Sequence, residues 1–153
     1  MRPNILLGAM KIPSKSEWGA IEKDNLDAEW AFKQFAGKSL DDAEKMFREN
    51  AFYYQEDLIS MPSIAFNCYA PVFAKYILSD YAKSDPDGAS SFLHMVIELL
   101  EANRSLATPE TEKALLDAAK IVSNKQNFYD ADIDIYGEFS ELYNKIIQLS
   151  ERT

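Results

Sequence analysis

Residues 60–81 read Ser60-Met61-Pro62-Ser63-Ile64-Ala65-Phe66-Asn67-Cys68-Tyr69-Ala70-Pro71-Val72-Phe73-Ala74-Lys75-Tyr76-Ile77-Leu78-Ser79-Asp80-Tyr81. Ile64, Phe66, Tyr69, Val72, Phe73, Tyr76, Ile77 and Leu78 crowd into one helix-length run whose sole charge before Asp80 is Lys75. A helix that is apolar on every side needs burial on every side. This run is too polar at its ends to span a bilayer, and no stretch of the chain approaches the ~20 apolar residues that a span requires. It reads as the central helix of a soluble helical domain. Pro62 suits a first helical turn, whereas Pro71 falls inside the run, where its missing N–H and its ring predict a kink. Drawn straight, residues 63–81 would extend about 28 Å.

The flanking segments carry helix signals of their own. Asn25 is a suitable N-cap for a helix over 26–36, with Asp27 and Glu29 in its first turn and Gly37 as its stop. Leu26, Trp30, Ala31 and Phe35 are expected to form its buried face. Ser39 opens a second helix with a stripe of Ala43, Met46 and Phe47, which either runs on or breaks near Asn50 and ends by Met61-Pro62. Asp85-Pro86-Asp87-Gly88 is a turn signal leading into a helix over 89–103, with Phe92, Val96, Leu99 and Leu100 inward. Thr108-Pro109-Glu110 starts another helix, with Leu115, Ala119 and Val122 inward, that fades at Ser123-Asn124. The last spans about 137–150, with Phe139, Leu142, Tyr143, Ile146 and Leu149 at helical spacing. Pro3 and Pro13 bracket an apolar stretch in residues 1–17 that suits either an extended arm or an edge strand. With no repeat and no linker, the expectation is an all-α bundle of about six helices forming one domain of 153 residues.

Five glycines and six prolines are too few for a many-stranded sandwich or barrel. The net charge is −9, and residues 83–153 alone hold seven Lys/Arg against thirteen Asp/Glu. Such a surface repels phosphate backbones and attracts basic partners, so no nucleic acid is expected. A single cysteine, Cys68, sits within the apolar run and reads as a core residue rather than a reactive thiol. With no possible intramolecular disulfide and no export or membrane segment, a cytoplasmic location is expected.

The sharpest local pattern is Asp130-Ala131-Asp132-Ile133-Asp134-Ile135-Tyr136-Gly137-Glu138-Phe139-Ser140-Glu141. Its acidic groups fall where an EF-hand calcium loop draws side-chain ligands. The turn position of such a loop, usually glycine, is instead Ile135, whose branched side chain resists positive φ. The competing readings are a helix N-terminus enriched in carboxylates and a surface that meets a basic partner. His94, the one histidine, shares a helix face with Glu98 and Glu101 and reads either as a surface side chain or as a proton-transfer group or ligand. Glu56-Asp57 could contribute to a carboxylate metal site in a bundle, but no Glu-x-x-His accompanies it. Either Trp18 or Trp30 could be an exposed interface anchor. No phosphate loop, nucleophile elbow or Cys-x-x-Cys pair is present, and no cofactor is expected.

Across residues 38–82, the block Tyr53-Tyr54, Asp57-Leu58, Met61-Pro62, Ala65-Phe66, Tyr69, Pro71, Phe73 and Tyr76 resembles small acidic helical bacterial proteins. Some of those are similar to the immunity proteins that accompany secreted polymorphic toxins. The resemblance implies a helical fold and a protein partner and carries no functional residues across. Together with the charge, it leads to an expected protein-binding module whose acidic Asp130, Asp132, Asp134, Glu138 and Glu141 steer a basic partner. The alternatives are a carboxylate-based metal protein or enzyme using the same cluster, with His94 brought close by the fold, and a structural subunit completed by oligomerisation.

Overall fold

The computed structural model describes residues 11–152, and every regular element among them is helical. The α-helices are α1 (Leu26–Phe35), α2 (Leu40–Gln55), α3 (Ser63–Ile77), α4 (Pro86–Ala102), α5 (Pro109–Ser123), a single turn α6 (Ile133–Tyr136) and α7 (Phe139–Ser150). Short 3-10 turns cover Ser16–Trp18, Leu58–Ser60, Asp80–Ala82 and Arg104–Leu106. Most of the suggested N-terminal arm lies outside the described residues. Its described end enters the 16–18 turn, which buries Trp18.

The expected central helix is the centre of an all-α bundle. Eleven of the fifteen residues of α3 are buried, and α2, α4 and α5 all pack against it. The helix stops at Ile77, short of the expected Tyr81, because Ser79 turns extended and a 3-10 turn follows. It runs through Pro71, which cannot donate to the Asn67 carbonyl one turn earlier. A line of rings ties α3 to its neighbours. Phe47 stacks on Phe73 at 5.0 Å between centroids, Phe73 meets Phe92 edge-on at 5.2 Å, and Tyr69 packs against Phe35 at 5.3 Å. Cys68 is buried among these helices, and burial pushes its thiol up to about 11.

Caps set the helix starts. The side chains of Asn25, Ser39, Asp85 and Thr108 each accept from the backbone N–H three residues on. The Asp85-Pro86-Asp87-Gly88 signal is thus not a turn ahead of α4 but its cap and first turn, so the helix begins three residues earlier than expected. Asp85 also accepts from the Tyr76 hydroxyl at 2.7 Å. A Cβ at Gly88 would meet the Asp85 carboxylate and push it off its capping position. The α2 helix breaks at Asn50 (φ −163°, ψ 82°), whose side chain accepts from Tyr53 N–H at 3.1 Å and recaps the chain as it continues. At the other end of the bundle, Arg104 forks onto Glu112 at 2.8 and 3.1 Å. It also donates to the carbonyls of Leu149, Ser150 and Arg152 at the end of α7.

The expected face of α1 needs correction. Ala31 and Phe35 are buried, but Leu26 and Trp30 are 74% and 49% exposed. At roughly 100° per residue, Trp30 and Leu26 lie about 100° and 140° round the helix from Ala31, on the far side from Phe35. The last long helix begins at Phe139 rather than at 137, because Gly137 takes φ +74° and separates it from α6.

A core this continuous should respond sharply to truncation at its centre. Phe73→Ala is expected to lose about 3–5 kcal/mol in urea unfolding. On the same helix, Ile64→Ala, at a position 44% exposed, should change stability by no more than about 1 kcal/mol.

Candidate binding groove along the fourth helix

Because α4 packs its Phe92, Leu93, Val96, Leu99 and Leu100 inward, its opposite stripe faces out. Asp87, His94, Glu98 and Glu101 are exposed at helical spacing along that stripe. Four clefts follow it and share wall residues. The first, of about 270 Å3, lies between Phe52 and Gln55 of α2, the α4 side chains Asp87, His94 and Glu98, and Tyr136 of α6. Gln55 and Glu98 are shared with a second, of about 460 Å3, that continues to Trp30 of α1 and to Asp57 and Ile59. His94 and Glu98 are shared with a third, bounded by Leu142 and Lys145 of α7. Phe52 and Asp87 are shared with a fourth, bounded by Arg48, Tyr81 and Asp85. Together they make one groove over the outer face of α4.

Its charge is strongly negative. Asp27, Glu49, Glu56, Asp57, Asp85, Asp87, Glu98 and Glu101 line it, against Arg48 and Lys145. Both cations are engaged. Arg48 reaches Glu44 at 3.3 Å and covers the Tyr81 ring at 3.8 Å, and Lys145 approaches Glu101 at 3.7 Å. Exposed apolar surface accompanies the charge, with Phe52 51% and Trp30 49% exposed on the groove walls. The recapped end of α2 contributes here, because a break at Asn50 resets the helical phase and leaves Phe52 and Tyr53 outside the stripe that buries Ala43 and Phe47.

Asp57 is the most perturbed carboxylate of the groove. It is only 6% exposed, in the two-residue connection 56–57 before the 3-10 turn, and Gln34 of α1 donates to its Oδ2 at 2.5 Å. Burial pushes its carboxyl up to about 6. The Gln34 bond opposes that rise, while Glu56 and Asp27 add to it. Tyr136 is tied to the opposite wall, its hydroxyl donating to Asp87 at 2.7 Å. That bond raises the phenol above its usual range.

The five carboxylates expected to form the partner patch are all exposed. Asp130, in the left-handed region at φ +55°, accepts from the Ser84 hydroxyl. Asp132 accepts from Asp134 N–H as the cap of α6, and Glu138 precedes α7 as its N-cap residue. A single helical turn thus occupies the stretch that a calcium loop would need. Among the described residues, no group of three or more His, Cys, Asp or Glu side chains is gathered around a common point. His94 does share a cleft with Asp87 and Tyr136, but it forms no ion pair with Glu98 or Glu101 among the described residues. Of the two tryptophans, Trp30 is the exposed one; Trp18 is buried, its indole N–H unpartnered among the described residues. The tyrosines divide similarly. Tyr69 and Tyr76 are core residues bonded to Lys38 O and Asp85, whereas Tyr53 and Tyr81 are exposed.

The Asp57 shift has a consequence for stability. Its folded-state pKa lies above the ordinary 3.8, so the folded protein holds the proton more tightly and stability falls as pH rises from about 4 to about 6. Asp57→Asn, which can still accept from Gln34, should remove that fall. The variant is expected to be more stable than the parent at pH 7.5, by on the order of 2 kcal/mol, and to lose this advantage at pH 4. Urea unfolding at the two pH values checks it.

No helix among the described residues is long and apolar enough to cross a membrane. The chain matches no protein-family model, no curated protein and no solved structure, so its function has to be argued from the geometry of this groove.

Proposed function

We propose that this chain is a non-catalytic protein-binding module, immunity-like or inhibitory in character, that docks a basic protein partner into the groove along α4. The observation that supports this most directly is the pairing of charge with exposed aromatics. Eight carboxylates line the groove against two engaged cations, and Trp30 and Phe52 stand half-exposed on its walls. Carboxylates accelerate and orient the approach of a basic surface, whereas large aromatics that become buried supply most of the holding energy. The outlying Asp130, Asp132, Asp134, Glu138 and Glu141 connect to the groove through α6, whose Tyr136 forms part of its wall. They act as the steering rim, and the groove is the seat.

Capture from lysate of the native cells at low and high salt, with the parent chain and a Trp30→Ala/Glu98→Gln variant side by side, tests this reading. The expected outcome is one basic protein, held by the parent, weakened by salt and lost from the variant, with Trp30→Ala alone costing about 2 kcal/mol or more of binding. With the purified partner, neutralising Asp132, Asp134 and Glu138 should slow association and leave dissociation nearly unchanged. Equal retention by the variant, or no basic partner at either salt, overturns the proposal.

A further inference from the structure

We propose that the part of the groove between α1, the 55–60 connection and α4 is a seat for a single arginine side chain of the partner, its guanidinium laid against Trp30 and paired with Asp57. This deepens the docking proposal and rests on it for the source of the arginine. The cleft is about 460 Å3 and carries Asp27, Glu56, Asp57 and Glu98, and among the described residues no Lys, Arg or His stands on its walls to balance them.

A carboxylate cluster alone would not specify a ligand, but Asp57 is a different kind of group. It is more than nine-tenths buried, yet Gln34 satisfies only one of its oxygens. No other hydrogen bond reaches this carboxylate among the described residues, although it lies on the cleft wall. That second oxygen is not sealed in the core but open to the cleft, where a donor can approach it. Gln34 holds that carboxylate in place, which leaves the other oxygen ready for an incoming N–H.

The form of the cation follows from the spacing of the groups. The carboxylates do not gather closely enough to hold a metal ion among the described residues, so the charge is spread round the cleft rather than focused at a point. A planar guanidinium suits this arrangement. It offers several donors in one plane, is weakly hydrated and stacks on aromatic rings, and half-exposed Trp30 stands with Ile59 in the cleft lining. A lysine ammonium is compact and strongly hydrated, and would use the aromatic wall less well.

The test needs no partner protein. An acetylated and amidated Gly-Arg-Gly peptide is titrated into the full chain while the two indole N–H resonances are followed by NMR, with Gly-Lys-Gly and Gly-citrulline-Gly as controls. Citrulline keeps the shape of arginine and removes its charge. The expected result is a saturable shift of the Trp30 resonance, assigned with Trp30→Phe, while that of buried Trp18 stays fixed. The lysine peptide should bind more weakly and the citrulline peptide should produce no shift. Asp57→Asn should weaken the arginine peptide roughly tenfold, as loss of a charge-assisted pair implies. Glu98→Gln, at an exposed position on a helix that folds without it, should weaken it by a smaller factor.

Equal shifts with arginine and citrulline peptides, or undiminished binding by both variants, overturn the seat. A basic partner that is captured while these peptides leave Trp30 unmoved overturns the seat and leaves the docking reading standing. Peptide binding without any captured partner supports the seat and removes the docking reading.

Discussion

Everything in this fold depends on α3 being buried over most of its surface. The polar side chains on its enclosed part cannot be solvated, so each finds a partner on a neighbouring element. Tyr69 donates to the Lys38 carbonyl between α1 and α2, and Tyr76 donates to Asp85 at the start of α4. Asn67 bridges the Leu106 carbonyl and the Thr108 N–H between α4 and α5. Tyr129, from the loop after α5, returns a hydrogen bond to Ile77 O at the helix end. The polar groups of the core are therefore the joints of the bundle, and they place the ends of the surrounding helices.

That placement turns α4 so that its apolar stripe meets α3 and α7 while its charged stripe faces outward. The groove is a by-product of helices meeting a cylinder. The recapped end of α2 lies along one side, α7 along the other, and the short α6 turn is pinned across by Tyr136. Its negative charge arises because several of its carboxylates pair with no cation among the described residues. Burial raises the Asp57 carboxyl to about 6, so its ionised form costs the fold stability above that pH. Such a group makes better sense as one half of a contact.

Much of the bundle was legible in the sequence because caps and periodicity act locally. Asn25, Ser39, Thr108 and the stripes of α5 and α7 needed only near neighbours to be read correctly. What escaped was set at a distance. Asp85 doubles as a helix cap and as acceptor for Tyr76, which made a helix start resemble a free turn. The buried face of α1 differs from the expected one because Trp30 and Leu26 share its helical spacing but lie away from the core. For the groove, the sequence offered its ingredients separately: Trp30 as a candidate anchor, Glu56-Asp57 as a carboxylate pair, and His94 and Glu98 on one face. Their assembly depends on Gln34 meeting Asp57 across 23 residues, and no local pattern encodes that meeting.

The burial of Cys68 has a practical side. Reaction at sulfur requires a thiolate that a reagent can reach, and here the thiol is enclosed by α3's neighbours and held far from ionisation at neutral pH. The folded chain is in effect blind to thiol reagents. A cysteine placed on the groove, at Ser90 for example, would be the one addressable thiol on the molecule. Spin labels, fluorophores or cross-linkers could then be attached along α4 with the native cysteine left in place.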